Sequence, residues 1–267
     1  MRSILDLTHL KWSNSSYGSI SYGCYYKASE RINGKKVYYK CSNFYAGYEK
    51  FGDESVNEVI CSRFLSKLGF DSLKYTLVYA RVRIQERDYT TYVCKSDDFF
   101  RGYDSRITFE RLHLLNRNLS IEQLVMKLGI QKDVCDMIVA DFLTLQGDRH
   151  GGNIELLVKD DKYRLSPLFD NGLGLLAPYP SCFNNDIRNF DVLGDYPVNN
   201  YIGSRSLYQN LDYIKSPIKV NKLTKSDRRS IFYGLSDVLP KEYLDKIWEL
   251  LVYRYAFLRK RGIIVDT

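Results

Sequence analysis

Residues 134–172 are the part of the chain that most constrains its fold. Val134, Met137, Ile138, Phe142 and Leu145 recur at three- and four-residue steps, which is the spacing of one buried helix face. Gly147 follows as the expected stop. Asp148 is thus delivered at the end of a buried helix, and Asn153 lies five residues further on. Two apolar runs, 154–158 and 163–168, flank the charged turn 159–162 and read as a hairpin with Asp170 at its far end. A helix and a hairpin joined this closely bring the oxygen-bearing side chains of Asp148, Asn153 and Asp170 to one rim.

The rest of the chain divides by pattern. The first hundred residues read mostly as strands and the remainder mostly as helices, which predicts an α+β protein of two lobes, 1–96 and 97–267. Asn33-Gly34 joins two runs rich in Tyr and Val, 23–31 and 36–42, and both turn residues tolerate positive φ. This predicts a hairpin with Lys40 late on its second strand. Upstream, 7–12 reads as a further strand, and 13–22 as a serine-dense loop containing Gly18. Val56, Val59, Ile60, Phe64 and Leu68 define a helix that carries Glu58 and stops at Gly69. A second hairpin follows, 75–84 and 89–95, about a polar turn at 86–88. Further helices are expected at 121–128, ending at Gly129, and through Leu244, Ile247, Leu251 and Leu258, where Trp248 packs beside the apolar face.

Composition narrows the class. A length of 267 residues suffices for two lobes around a cleft, and 45% hydrophobic with 27% charged residues excludes a disordered chain. The net charge of +7 is spread, its densest cluster being Arg259-Lys260-Arg261. No DNA-reading module is recognisable, so direct nucleic-acid binding is not expected. The six cysteines form no CxxC pair, which excludes a zinc ribbon, and they read as reduced, partly buried thiols. His9, His113 and His150 are too far apart in sequence to suggest a metal cluster. No run of about 18 apolar residues exists to span a membrane. Residues 1–10 do not read as a signal peptide, so a cytoplasmic protein is expected, with export by a route needing no signal peptide left open.

The rim suits phosphoryl transfer. That reaction has a loose transition state, so a protein mainly positions groups and neutralises charge. Asp148 can receive the proton of an acceptor hydroxyl. Asn153 and Asp170 offer the hard oxygen ligands that Mg²⁺ prefers. The order of parts agrees: a loop with Gly18 and Ser19, a strand lysine at Lys40, a helix glutamate at Glu58, an Asp-x4-Asn loop, and an Asp-x-Gly. Lys40 would contact the ATP phosphates with Glu58 holding it, and backbone groups of 93–95 would serve adenine. Taken alone, Asp148 and Asn153 read rather as a helix end and a turn. Asp170 in register, with Lys40 and Glu58 in order, favours catalysis. No GxxxxGK[ST] pattern is present, which disfavours a P-loop enzyme.

The core Asp148-Arg149-His150-Gly151-Gly152-Asn153, followed by Phe169-Asp170-Asn171-Gly172, resembles the HipA-like serine/threonine kinases. The resemblance extends from about Ser13 to the end, through Tyr39-Lys40-Cys41-Ser42, Asn57-Glu58 and residues 191–206. The DRHxxN element also occurs in phosphoinositide kinases. The resemblance implies a bilobed kinase fold, ATP with Mg²⁺, and a short form without the family's extra N-terminal domain. It also implies autophosphorylation of a nucleotide-loop serine, for which Ser13, Ser15, Ser16, Ser19 and Ser21 are candidates. A second protein as substrate and an antitoxin partner are implied as well. The loop departs from GxGxxG, having only Gly18 and Gly23, and Asn171 replaces the more usual Phe or His. His150 is read as orienting the catalytic loop and Arg149 as pairing with a carboxylate in that loop. Asp191 and Arg205 either shape a substrate cleft or belong to a structural loop. A lipid kinase and a nucleotide-binding pseudokinase are the alternative functions.

Overall fold

The computed structural model describes residues 3–14 and 25–267. In chain order the elements are β1 Leu5–Asp6, β2 Lys27–Ile32, β3 Lys35–Cys41, β4 Phe44–Tyr45, β5 Lys50–Phe51, α1 Glu54–Leu68, β6 Thr76–Ile84, β7 Arg87–Asp97 and β8 Ser105–Thr108. Then follow α2 Phe109–Leu115, α3 Ile121–Leu128, α4 Gln131–Thr144, β9 Asp148–Arg149, β10 Glu155–Lys159, β11 Lys162–Leu165 and β12 Asn199–Asn200. The chain closes with α5 Leu207–Asn210, β13 Ile218–Val220, α6 Asp227–Ile231, α7 Lys241–Lys260 and β14 Ile264–Asp266.

Among the described residues, a five-stranded sheet runs in the order β1-β6-β7-β3-β2. The β2–β3 hairpin turns on Asn33 and Gly34, at φ 50° and 77°, as the Asn-Gly pair predicts. Two other hairpins use the same left-handed geometry without glycine: Gln85-Glu86 at φ 49° and 64°, and Asp160-Asp161 at φ 48° and 57°. The second hairpin therefore turns just ahead of the expected 86–88. The strand expected at 7–12 lies earlier, at Leu5–Asp6, and pairs parallel with β6. The Asp6 carboxylate accepts the Thr8 N–H at 2.9 Å and its hydroxyl at 2.7 Å. This local turn ends the strand.

Helix α1 ends at Gly69, φ 93°, as predicted. Helix α4 ends differently from expectation. Its left-handed residue is Leu145, φ 52°, and not Gly147. The Thr144 carbonyl accepts the Leu175 N–H at 2.7 Å, which turns the chain there. Gly147 serves close approach instead, since a Cβ on it would lie 3.2 Å from the Leu173 carbonyl oxygen. Strand β8 and helix α2, whose Thr108 cap accepts the Arg111 N–H, have no counterpart in the sequence reading.

Among the described residues the core has two parts. Leu7, Val37, Tyr39, Ala80, Val82, Ile84 and Val93 pack on one face of the sheet. The larger part gathers α4, α7, the β10–β11 hairpin and the irregular stretch after it. The apolar face of α1 (Val56, Ile60, Phe64, Leu65 and Leu68) belongs to this larger core. Full burial of each such side chain contributes about 1.5–3 kcal/mol. Polar contacts root α1 in the same body: Arg63 donates to the Ile231 and Tyr233 carbonyls at 3.0 and 2.8 Å, and Lys67 pairs with Asp227 at 3.1 Å. Trp248 is partly buried against the same core, edge-on to Phe232. No described helix is long and apolar enough to cross a membrane.

Candidate active site

Lys40 and Glu58 come together because β3 and α1 pack on each other. Both are buried, Glu58 completely. The Lys40 ammonium donates to Glu58 Oε1 at 2.7 Å and to Asp170 Oδ1. The second Glu58 oxygen accepts the Asn171 N–H at 2.8 Å, so one buried carboxylate orients both the lysine and the Asp-x-Gly element. Burial works against the Lys40 charge, but Asp170 and then Glu58 outweigh it and hold the ammonium well above its ordinary pKa. Burial likewise opposes ionisation of Asp170, but Lys40 and then Lys27, whose Nζ lies 3.9 Å away, keep that carboxyl far below the usual range. Asp170 itself sits at φ 59°, a conformation only a few non-glycine residues adopt.

Asp148 opens the loop 148–153 and is half-buried, with its side chain 27% exposed. Its Oδ1 accepts from the Asn199 side-chain amide at 2.7 Å, and its Oδ2 lies 3.8 Å from His150 Nε2. His150 Nδ1 accepts the Gly152 N–H at 3.1 Å and caps the short turn Gly151–Asn153. Asn153 donates its amide to the Asp148 carbonyl at 3.1 Å, folding the loop back on its own start.

Two buried side chains that sequence reasoning did not place in these roles clasp the loops together. Gln146 accepts the Asp148 N–H at 3.2 Å and donates to the Asp170 carbonyl at 2.9 Å, so a single amide spans both aspartates. Arg149 donates to the Phe169 carbonyl at 2.7 Å, the Asn153 carbonyl at 3.4 Å and Asn171 Oδ1 at 2.7 Å. Its charge is met by Asp141 on α4 at 2.8 Å. Arg149 therefore pairs with a helix carboxylate and not with one in the loop. Asp141 falls within the helical pattern of residues 134–145, where a lone carboxylate on the buried face is the available signal.

The donor chemistry suits a hard divalent cation. Asp170 offers a carboxylate kept ionised by two lysines, while Asn153 commits its N–H₂ end and retains Oδ1 as an acceptor. Among the described residues no cluster of three or more His, Cys, Asp or Glu could hold a metal. Of the nucleotide-loop candidates, Ser13 pairs by backbone with Lys27, the lysine facing Asp170. Ser15, Ser16, Gly18, Ser19, Ser21 and Gly23 lie outside the described residues. Residues 93–95 are paired on both sides, with β6 and β3, and the strand runs on to Asp97. Their backbone groups are therefore engaged in the sheet, and the chain leaves it only at Asp98, where Phe99 packs 5.6 Å from Phe169. Asp191 caps a local turn through the Leu193 N–H at 3.0 Å. The Arg205 carbonyl accepts the Val198 N–H at 2.9 Å, and among the described residues its side chain makes no hydrogen bond or ion pair. Neither side chain joins the cluster around Asp148 and Asp170.

No protein-family model matches the chain, and no curated protein matches it in sequence. Solved structures do. The proinflammatory kinase CtkA of Helicobacter pylori superposes with a TM-score of 0.64 at 14% identity, covering 98% of this chain and 97% of that one. HipA of Shewanella oneidensis MR-1, solved with HipB and operator DNA, gives a TM-score of 0.42 at 15% identity, covering 92% of this chain and 57% of that one. The likeness to CtkA establishes the fold as the mixed α+β, bilobed architecture of a kinase.

Proposed function

We propose that this chain is an ATP-dependent serine/threonine protein kinase of the HipA-like type, with residues 1–96 as the nucleotide lobe and 97–267 as the catalytic lobe. The observation that carries the reading is Lys40, ion-paired at once to Glu58 and Asp170 inside a kinase fold. Spatial convergence of strand lysine, helix glutamate and Asp-x-Gly aspartate is what a kinase-type site requires.

In this reading Lys40 steadies the α and β phosphates, and Glu58 keeps it aimed. Asp170 and Asn153 hold Mg²⁺, which supplies charge neutralisation on the phosphates when bound. Gly18 and Ser19 contact the phosphates from the nucleotide loop. Asp148 accepts the proton of the acceptor hydroxyl as its oxygen bonds to the γ-phosphorus and the bond to ADP breaks. His150 keeps the loop in shape. The acceptors are a serine among Ser13, Ser15, Ser16, Ser19 and Ser21 and a residue of a second protein, and an antitoxin-type protein is the expected partner.

Incubating the protein with Mg-ATP and reading its intact mass tests this, with Asp170→Ala as control. The expected result is a gain in steps of one phosphate that the control lacks, mapped to residues 13–21. An unchanged mass with lipid-dependent ATP consumption would replace the reading with a lipid kinase. Tight ATP binding without turnover would replace it with a pseudokinase.

A further inference from the structure

A carboxylate that receives a proton must present one oxygen in a fixed direction. Asp148 is half-buried, with its side chain 27% exposed, so packing alone does not fix its rotamer. A contact from a remote part of the chain does. Strand β12 pairs parallel with β9 in the register Asn199↔Asp148 and Asn200↔Arg149. The Asn199 N–H donates to the Gly147 carbonyl at 2.9 Å, and the Tyr201 N–H to the Arg149 carbonyl at 3.0 Å. Paired residues of neighbouring strands project to the same face of the sheet, so this register sets the Asn199 side chain beside Asp148.

The segment is wedged into place one residue further on. The Tyr201 hydroxyl meets His113 Nδ1 at 3.0 Å. Its ring lies where a Cβ on Gly151 would be 2.8 Å away, so glycine there admits the tyrosine. With this anchor, Asn199 Nδ2 reaches Asp148 Oδ1 at 2.7 Å. The other oxygen is left over. Since His150 Nδ1 accepts from Gly152, the imidazole proton of the neutral ring is assigned to Nε2. Nε2 lies 3.8 Å from Oδ2, beyond hydrogen-bond reach. Among the described residues Oδ2 accepts no hydrogen bond.

We propose that Asn199 is a positioning residue that holds Oδ1 of Asp148 so that Oδ2 is presented to the hydroxyl of the phosphoryl acceptor. The assignment rests on the kinase reading. A neutral amide suits the task, because it fixes the carboxylate without cancelling the negative charge that attracts the proton. Asn199 is itself exposed, and exposed substitutions barely move stability, so its kinetic role separates from a folding role.

The test compares Asn199→Leu, which keeps the shape and removes the donor, with Asn199→Gln, whose longer amide retains it. Self-phosphorylation is followed by intact mass over time at varied ATP. The expected result for Asn199→Leu is a kcat lower by about ten- to a hundredfold, as misplacement of a reacting group produces. KM for ATP stays within about twofold, Tm is unchanged, and Asn199→Gln recovers a substantial part of the rate. Wild-type kcat in Asn199→Leu, or a parallel loss of kcat, ATP affinity and Tm, overturns the proposal. If the wild-type protein transfers no phosphate, the kinase reading fails, and the contact is judged by NMR. The Asn199 side-chain amide should then show a downfield, slowly exchanging proton that disappears in Asp148→Ala, and its absence from the wild type overturns the assignment.

Discussion

Replacing Asp141 with alanine should destabilise the fold by about 3 kcal/mol, at the low end of the ~3–5 kcal/mol that accompanies removal of one partner from a buried ion pair. Arg149 is 1% exposed and Asp141 3%, so water cannot take over the vacated contacts. The guanidinium loses three contacts to the two Asp141 oxygens, at 2.8, 3.1 and 3.2 Å. It keeps the Phe169 carbonyl, Asn171 Oδ1 and the Asn153 carbonyl, and these retained acceptors place the loss at the lower end. In a domain of roughly this size each kcal/mol lowers Tm by about 2–4 °C, giving a fall of roughly 6–12 °C. Arg149→Met should cost more, about 4–5 kcal/mol, because it strands the Asp141 carboxylate and also frees two loop carbonyls. The double variant Asp141→Ala, Arg149→Met should be less destabilised than the sum of the single changes by at least about 2 kcal/mol. Urea unfolding followed by far-ultraviolet circular dichroism, with Tm from the same signal, measures all of these. An Asp141→Ala cost below about 1 kcal/mol, or strict additivity in the cycle, would refute the idea that this pair is a desolvated clasp.

Three other outcomes follow from the same structure. Lys40→Met should abolish detectable phosphoryl transfer and also lower Tm, since Glu58 and Asp170 lose their shared cation; a variant as stable as the wild type would contradict the buried geometry. Burial, and then its hydrogen bond to Glu30, push the Tyr39 hydroxyl up to about 12 from 10.0. Its contribution is therefore full below pH 10 and lost as pH rises toward 12, so Tyr39→Phe should lose less stability than the wild type across that window in thermal melts. Cys41, Cys61 and Cys94 are buried whereas Cys135 and Cys182 are half-exposed, so a charged thiol reagent mapped by mass spectrometry should label only the latter two among these five in the native state.

How much of this was legible in the sequence depended on whether a local rule carried the information. Asn33-Gly34 and Gly69 announce positive φ by composition, and both were read in place. Gln85-Glu86 and Asp160-Asp161 adopt the same geometry with side chains that do not advertise it, because strand pairing on either side imposes the turn. Leu145 ends α4 for the same kind of reason: its turn is imposed by Leu175, thirty residues away in the chain. The site divides likewise. Lys40, Glu58 and Asp170 stand in a recognisable order, and their contact is what the structure adds. Gln146 and Asn199 act through tertiary contacts that no spacing encodes, so a buried glutamine beside a helix end reads simply as polar, whereas Asp141 is signalled by its place on the apolar face of α4 but its partner is not.

The rooting of α1 in the larger core also narrows the ways a ligand could engage the Lys40–Glu58–Asp170 cluster. A compound that gains selectivity by trapping a swung-out helix must find that conformer populated. Here swinging α1 outward would expose Phe64, Leu65 and Ile60, each at 0% in the folded state. At about 1.5–3 kcal/mol per side chain the open state would lie roughly 5–9 kcal/mol above the closed one. A ligand would need on the order of 10⁴-fold or greater preference for the open state merely to populate it. On the proposed kinase reading, screening should therefore return molecules that engage the Lys40–Asp170 pair with α1 in place.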